Sequence, residues 1–261
     1  MSSAQHPTFI TKAEGTKSLF LPDKVRRSLL NAGATPEIAE TVIGELCKRV
    51  YPDMSTHAIY KIAFSLLKKL SRPTAARYHL KQAIFELGPS GFPFEQYVAA
   101  LFRHAGFSVA TNQVVPGHCV KHEVDIVALR QSLHYIIECK YHQQAGTHCD
   151  VKIPLYIHAR FRDIEQQSID EGRKQDADYQ PWLVTNTRFT PDALQYGQCA
   201  GLHLMSWDFP AGRGLKDIID RTGLYPVTCL TTLSRHEKQS LLSKGIVLCR
   251  SLAENPAQLQ A

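Results

Sequence analysis

The sequence has no long hydrophobic run. None of its 261 residues falls in a stretch of about 18 consecutive apolar residues, the length that a membrane-spanning helix needs. The first residues, MSSAQHPTF, have neither the basic start nor the apolar centre of a secretory signal. We therefore expect a cytoplasmic protein that has no membrane partner.

Motifs for a P-loop and for a zinc site are missing too. No GxxxxGKS or GxxxxGKT sequence occurs, which excludes a P-loop ATPase. The 7 cysteines are scattered through apolar stretches, and none belongs to a CxxC pair, so we expect reduced thiols instead of a disulfide framework. Histidines and cysteines gather between residues 118 and 149, but without paired-ligand spacing. A zinc-bound interaction module is therefore the weakest hypothesis for the function.

The excess of positive charge lies in the first third of the chain. Residues 1–88 contain 13 Lys and Arg against 7 Asp and Glu, whereas the two classes balance in residues 89–261. A small basic domain attracts phosphate, either of a nucleotide or of a nucleic acid backbone. The alternative is a helix face with solvated charges.

This first third is predicted to be a hairpin followed by four helices. FITKAEGTKSLF has turn residues between two short strands, and the helical stretches that follow begin at Asp23, Thr35, Ser55 and Pro73. The segments ITKAEGTKSLFLPDKVRRSLLNAG, STHAIYKIAFSLLKKL and TAARYHLKQAIF resemble the ATP-cone, a nucleotide-binding regulatory domain. Without that resemblance, a small helical dimerisation or DNA-binding domain would be preferred.

The ATP-cone resemblance implies a binding site for ATP or dATP as an effector. It implies that Lys12 and Lys24 bind phosphate, that Ser18 and Phe20 line the pocket, and that Ser55 lies near the start of the third helix. Ala13 and Glu14 stand where the family usually has Arg-Asp. A nucleotide bound here would be sensed and not hydrolysed.

A second domain follows the turn-forming segment Gly88-Pro89-Ser90-Gly91. We predict an ATP-cone over residues 1–88, a linker at 89–91, a nuclease domain over 92–210 and a helical extension over 211–261. The extension is expected to pack on the nuclease domain, although LSRHEKQSLLSKGIVL also has similarity to a helical hairpin that touches DNA.

The stretch from Glu123 to Lys140, EVDIVALRQSLHYIIECK, predicts a hairpin with a turn near Gln131-Ser132. A tight two-residue turn would place Asp125 opposite Glu138. Opposed carboxylates repel unless a cation lies between them, and a carboxylate pair beside Lys140 can hold Mg²⁺. The alternative is an edge hairpin with a solvated charged face.

Glu95 in GFPFEQYVAALFRHAGF, Asp125 in HEVDIVA and Glu138-Cys139-Lys140 together resemble the PD-(D/E)xK nuclease superfamily, most of all Mrr-type restriction endonucleases. The resemblance implies that Asp125 and Glu138 are metal ligands with the Cys139 carbonyl, that Lys140 activates water, and that Glu95 is an accessory acid. From the residues alone, Glu95 is equally explained as a first-turn acid favoured by the helix dipole. Arg160 and Arg162 are candidates for contacts with a DNA backbone.

The expected fold is α/β, a restriction-endonuclease-like mixed sheet flanked by helices and preceded by the small α+β ATP-cone. The expected function is a DNA endonuclease dependent on Mg²⁺ or Mn²⁺, regulated by ATP or dATP and assembled as a homo-oligomer. The alternative is a nucleotide-responsive DNA-binding protein whose nuclease fold is inactive.

Overall fold

The computed structural model describes residues 7–172 and 178–255. The chain forms two compact units, one made of Met1–Ala83 with Cys229–Ser234 and the other of Ile84–Thr228 with Arg235–Ala261. The linker predicted at residues 89–91 lies inside the second unit. The outer ends of the predicted first domain and C-terminal extension, residues 1–6 and 256–261, lie outside the described residues.

The first unit begins with an antiparallel hairpin, β1 (Phe9–Thr11) and β2 (Lys17–Leu19). Gly15 permits its turn because glycine tolerates the φ of 84° found there. The following helices are α1 (Pro22–Asn31), α2 (Pro36–Cys47), α3 (Thr56–Leu70) and α4 (Arg72–Tyr78), and α5 (Leu80–Phe85) comes next. The sequence predicted one helix where α4 and α5 stand. The break falls at His79, whose ring bonds to the Tyr60 hydroxyl on α3 at 2.5 Å.

The helix starts of the first unit follow their capping residues. Thr35 accepts a hydrogen bond from the Ile38 N–H at 3.3 Å, and Ser55 accepts one from the Ala58 N–H at 3.1 Å. The apolar faces of these helices then bury a core that includes the fully enclosed Leu29. This unit therefore has a hydrophobic core of its own.

The second unit is built on a five-stranded sheet with the order β3-β4-β5-β7-β9. Its elements are α6 (Phe92–His104), β3 (Ser108–Pro116), β4 (Lys121–Arg130), β5 (Leu133–Lys140), β6 (His148–Cys149), α7 (Lys152–Asp170), β7 (Asp178–Thr185), β8 (Arg188–Phe189), α8 (Pro191–Cys199), β9 (His203–Met205), α9 (Leu215–Thr222), α10 (Arg235–Ser243) and α11 (Cys249–Glu254). Strands β3 to β5 are antiparallel, whereas β5, β7 and β9 are parallel. The predicted mixed sheet is confirmed.

Helices cover both faces of this sheet. Tyr135 contacts Phe102 of α6, whereas the next residue, Ile136, packs with Phe161 and Ile164 of α7. Because successive residues of a strand point to opposite faces, α6 and α7 lie on opposite sides. The helices of residues 7–172 and 178–255 include none long and apolar enough to cross a membrane.

Candidate active site

The β4–β5 hairpin has the register that the sequence predicted. Ile126 pairs with Ile137, and the turn at Gln131-Ser132 is tight, with Gln131 at a φ of 55°. The same register places Asp125 opposite Glu138 one step further along. There the strand ladder ends, and the Asp125 carboxylate accepts the Cys139 N–H at 2.7 Å.

Three carboxyl groups meet at this end of the hairpin. Burial, followed by repulsion from Asp125, raises the pKa of Glu138 to about 7. Burial and then the charge of Asp125 also raise the pKa of Glu95 to about 7. Burial is the main factor that raises the pKa of Asp125. The structure thus brings together the three acids that the sequence predicted, although Glu95 comes from the first turn of α6.

Arg160 of α7 is the cation that contacts this cluster. It forms an ion pair with Glu138 and donates to the Glu123 carbonyl at 2.8 Å. Its guanidinium also donates to the Tyr156 hydroxyl at 2.8 Å and lies 4.9 Å from the centre of that ring. The sequence suggested a DNA contact for Arg160 but gave no signal for its pairing with Glu138, which joins residues 22 positions apart.

Lys140 ends the same strand two residues after Glu138. Its side chain is partly exposed, and it forms no ion pair with any residue that the structure describes. Beyond it, Asn186 clamps the main chain of His142, accepting the His142 N–H and donating to the His142 carbonyl, both at 2.8 Å. This pair of hydrogen bonds fixes the main chain two residues beyond Lys140. Cys139, between Glu138 and Lys140, has a thiol whose pKa burial raises well above its usual range.

The donors at the strand end fit a hard divalent cation. Asp125 and Glu138 lie within hydrogen-bonding reach of each other, so their negative charges repel without a proton or a cation between them. The main chain of Cys139 lies beside them. Within the described ranges, no group of three or more His, Cys, Asp and Glu side chains could hold a metal ion. A cation here would therefore complete its shell with main-chain, water or phosphate oxygens, as Mg²⁺ commonly does.

Two histidines of the predicted zinc alternative have carboxylate partners. His118 bonds to Asp170 and His122 to Asp163, both at 2.7 Å. Asp163 also accepts the Cys119 N–H at 2.8 Å. The carboxylate of Asp163 thus holds the loop between β3 and β4 against α7, which gives these residues a structural role.

The first unit contains a cavity of about 390 Å³ beside its hairpin. Lys12, Ser18, Phe20 and Lys24, which the ATP-cone resemblance implies as nucleotide-binding residues, line this cavity, whereas Ser55 is not part of the lining. The Ser55 hydroxyl instead caps α3 by accepting the Ala58 N–H. The Lys12 ammonium lies 3.6 Å from a carboxylate oxygen of Glu14, the acid that departs from the ATP-cone pattern.

Among the further residues that line this cavity, Tyr60, Tyr78 and Lys81 were missed from the sequence. The rings of Tyr60 and Tyr78 stack with centroids 5.4 Å apart. Their aromatic character is visible in the sequence, but their convergence depends on the packing of α3 against α4. Aromatic rings and three lysines in one cavity suit a purine base and a phosphate chain.

Comparison with known proteins finds relatives over much of the chain. The family model described as AF1548-like, C-terminal, matches residues 225–261. An uncharacterized protein of Archaeoglobus fulgidus is 35% identical over 155 residues, which are 59% of this chain and 83% of the relative. The crystal structure of AF1548, described as a protein of unknown function, shares 32% identity and a TM-score of 0.55, covering 66% of this chain and 88% of that one.

Proposed function

This chain belongs to the AF1548-like family, and we propose that it is a metal-dependent DNA endonuclease whose N-terminal unit senses ATP or dATP. The single observation that carries the proposal is the convergence of Glu95, Asp125 and Glu138 at the end of the strand that closes with Lys140. Acids with strongly raised pKa values clustered at one strand end are typical of functional sites. Arg160 pairs with Glu138, but Glu95 and Asp125 have no ion-pair partner among the described residues, and burying a charge without such a partner is costly.

Each residue of the cluster has a role in phosphodiester hydrolysis. Asp125 and Glu138 would hold the cation, with the Cys139 carbonyl as a further ligand. A bound Mg²⁺ or Mn²⁺ would polarise the phosphate and lower the pKa of a water molecule. Lys140 orients the attacking water, whose oxygen bonds to phosphorus as the ester oxygen leaves with a proton. Glu95, with a pKa of about 7, is suited to exchange that proton near neutral pH.

The nucleotide-sensing part of the proposal rests on the cavity of the first unit. Its three lysines favour a phosphate chain, and Tyr60 and Tyr78 offer a ring surface for the base. Because the chain contains no P-loop sequence, a bound nucleotide acts as an effector. ATP binding is then expected to change DNA cleavage without ATP being consumed.

Cleavage of plasmid and linear DNA with Mg²⁺ or Mn²⁺, each with and without ATP, tests the proposal. Wild type is expected to cut, and Asp125→Asn and Lys140→Ala are expected to lose cutting. Asp192→Asn is the matched control, because Asp192 is exposed in the first turn of α8, outside the cluster. Lys24→Ala should abolish the effect of ATP and spare basal cleavage. Equal cutting by wild type and Asp125→Asn would refute the assignment.

The Arg160–Glu138 ion pair favours a second candidate, a nucleotide-responsive DNA-binding protein with an inactive nuclease fold. A guanidinium already neutralises one of the two carboxylates that the cation needs. Metal-independent DNA binding with no cutting under any of these conditions would support this alternative. Stoichiometric zinc in the purified protein would instead favour the zinc-bound interaction module.

A further inference from the structure

A second cavity, of about 450 Å³, lies in the second unit beside the candidate active site. Its wall includes Tyr141, the residue that directly follows Lys140, and Gln143. The opposite wall comes from α10, through Arg235, Lys238 and Gln239. We call this space the α10 cavity. Its size falls in the range of small-ligand sites.

The segment Gly88–Gly91 contacts both the lining of the α10 cavity and the acidic cluster. A Cβ atom on Gly88 would lie 2.6 Å from the Tyr141 hydroxyl, and one on Gly91 would lie 3.0 Å from a Glu95 carboxylate oxygen. The short segment that lines the α10 cavity at Gly88 and Pro89 thus reaches Glu95 at Gly91.

Positive charge predominates along α10 at this cavity. Arg235 is exposed and forms no ion pair with any residue in the described part of the chain. The ammonium of Lys238 lies 3.0 Å from a Glu86 carboxylate oxygen, and its side chain is only 11% exposed. Two cations facing one acid leave a net positive charge, which favours an anionic group such as a phosphate.

Side-chain amides and rings make up the rest of the lining. Gln143 donates to the Pro89 carbonyl, and Gln239 donates to the Gly88 carbonyl at 2.9 Å. Their side-chain oxygens form no hydrogen bond with the described residues, so they remain acceptors for donors on a ligand. Phe85 and Tyr141 add aromatic surface. The cations match the phosphate of one nucleotide, the amide acceptors match the edge of its base, and the rings match the face of its base.

The residues of α10 belong to the part of the chain that the family model matches, residues 225–261. Resting on the proposed nuclease function, we propose that the α10 cavity binds one nucleotide of the DNA strand next to the cleaved phosphodiester. Arg235 and Lys238 bind its phosphate, and Tyr141 contacts its base. The family's C-terminal segment thereby gains a role in holding the substrate strand.

DNA binding at increasing salt tests this proposal, with EDTA present so that no DNA is cut. Each phosphate contact contributes about 0.9 to the slope of log K against log salt on duplex DNA. We expect Arg235→Ala to weaken binding of a labelled duplex. The magnitude of the slope should fall by about 0.9, the value for one phosphate contact. Arg235→Lys should keep the slope. Arg213→Ala is the matched control, because Arg213 is exposed in the same unit but outside the cavity lining.

An unchanged affinity and slope for Arg235→Ala, in a protein whose wild type binds and cuts DNA, would overturn this proposal and leave the nuclease assignment standing. The proposal would also be overturned if Arg235→Ala bound a deoxynucleoside monophosphate more weakly than wild type but bound DNA equally well, since the cavity would then serve a free nucleotide. Absence of cutting by wild type would instead contradict the nuclease function itself.

Discussion

Glu138 should make the metal-free protein less stable as the pH rises. Its pKa is about 7 in the folded state against 4.5 for an ordinary glutamate, mainly because it is buried. The folded state therefore binds more protons between these two values, and its stability falls as the pH rises through them. At about 1.4 kcal/mol for each pKa unit, the whole loss is about 3 kcal/mol and is complete slightly above pH 7.

Glu138→Gln removes this ionisation and should flatten the pH dependence by about that amount. The assay is urea unfolding at pH 5 and pH 8 with EDTA, followed by tryptophan fluorescence. Both tryptophans, Trp182 and Trp207, lie in the second unit, so the signal reports on the unit that contains Glu138. Glu254→Gln is the control, because Glu254 is exposed in α11.

The same loss of stability between pH 5 and pH 8 in wild type and Glu138→Gln would refute the argument that Glu138 is buried with repelling neighbours. Adding Mg²⁺ at pH 8 gives a second test. A cation that binds only the folded state stabilises it, so wild type should regain stability in Mg²⁺ while Glu138→Gln gains less. An equal gain in both proteins would exclude Glu138 as a ligand.

Three further changes test other contacts. Arg160→Met should raise the pKa of Glu138 further, because an opposing positive charge is lost; NMR titration of the Glu138 side chain measures this, and an unchanged pKa would contradict the ion pair. Tyr97→Phe should cost about 1 kcal/mol in urea unfolding, because the buried hydroxyl that donates to the Leu224 carbonyl at 2.8 Å is lost; a neutral effect would argue against that bond. Asp163→Asn should speed hydrogen exchange at residues 119 and 120, whose N–H groups it binds, and unchanged protection there would contradict the anchoring of the loop.

Local sequence determined the hairpin and its register. The turn residues Gln131 and Ser132 lie at the midpoint of two strand-forming runs, and a two-residue turn leaves one pairing possible. Asp125 therefore had to face Glu138 whatever the rest of the chain did. Cap positions such as Thr35 and Thr190 were predictable for the same reason, because a cap depends on a few neighbouring residues.

Tertiary structure decided what surrounds that pair. Arg160 reaches Glu138 because α7 packs across the sheet, and no local pattern in the sequence encodes that contact. Likewise, Tyr60 and Tyr78 meet only when α3 packs against α4, whereas Ser55, which the family pattern suggested for the pocket, is used as a helix cap. The α10 cavity joins residues more than 140 positions apart. The sequence alone thus determined which acids face each other, because strand pairing after a tight turn is local, whereas packing between distant elements decided their cation, their burial and the cavity beside them.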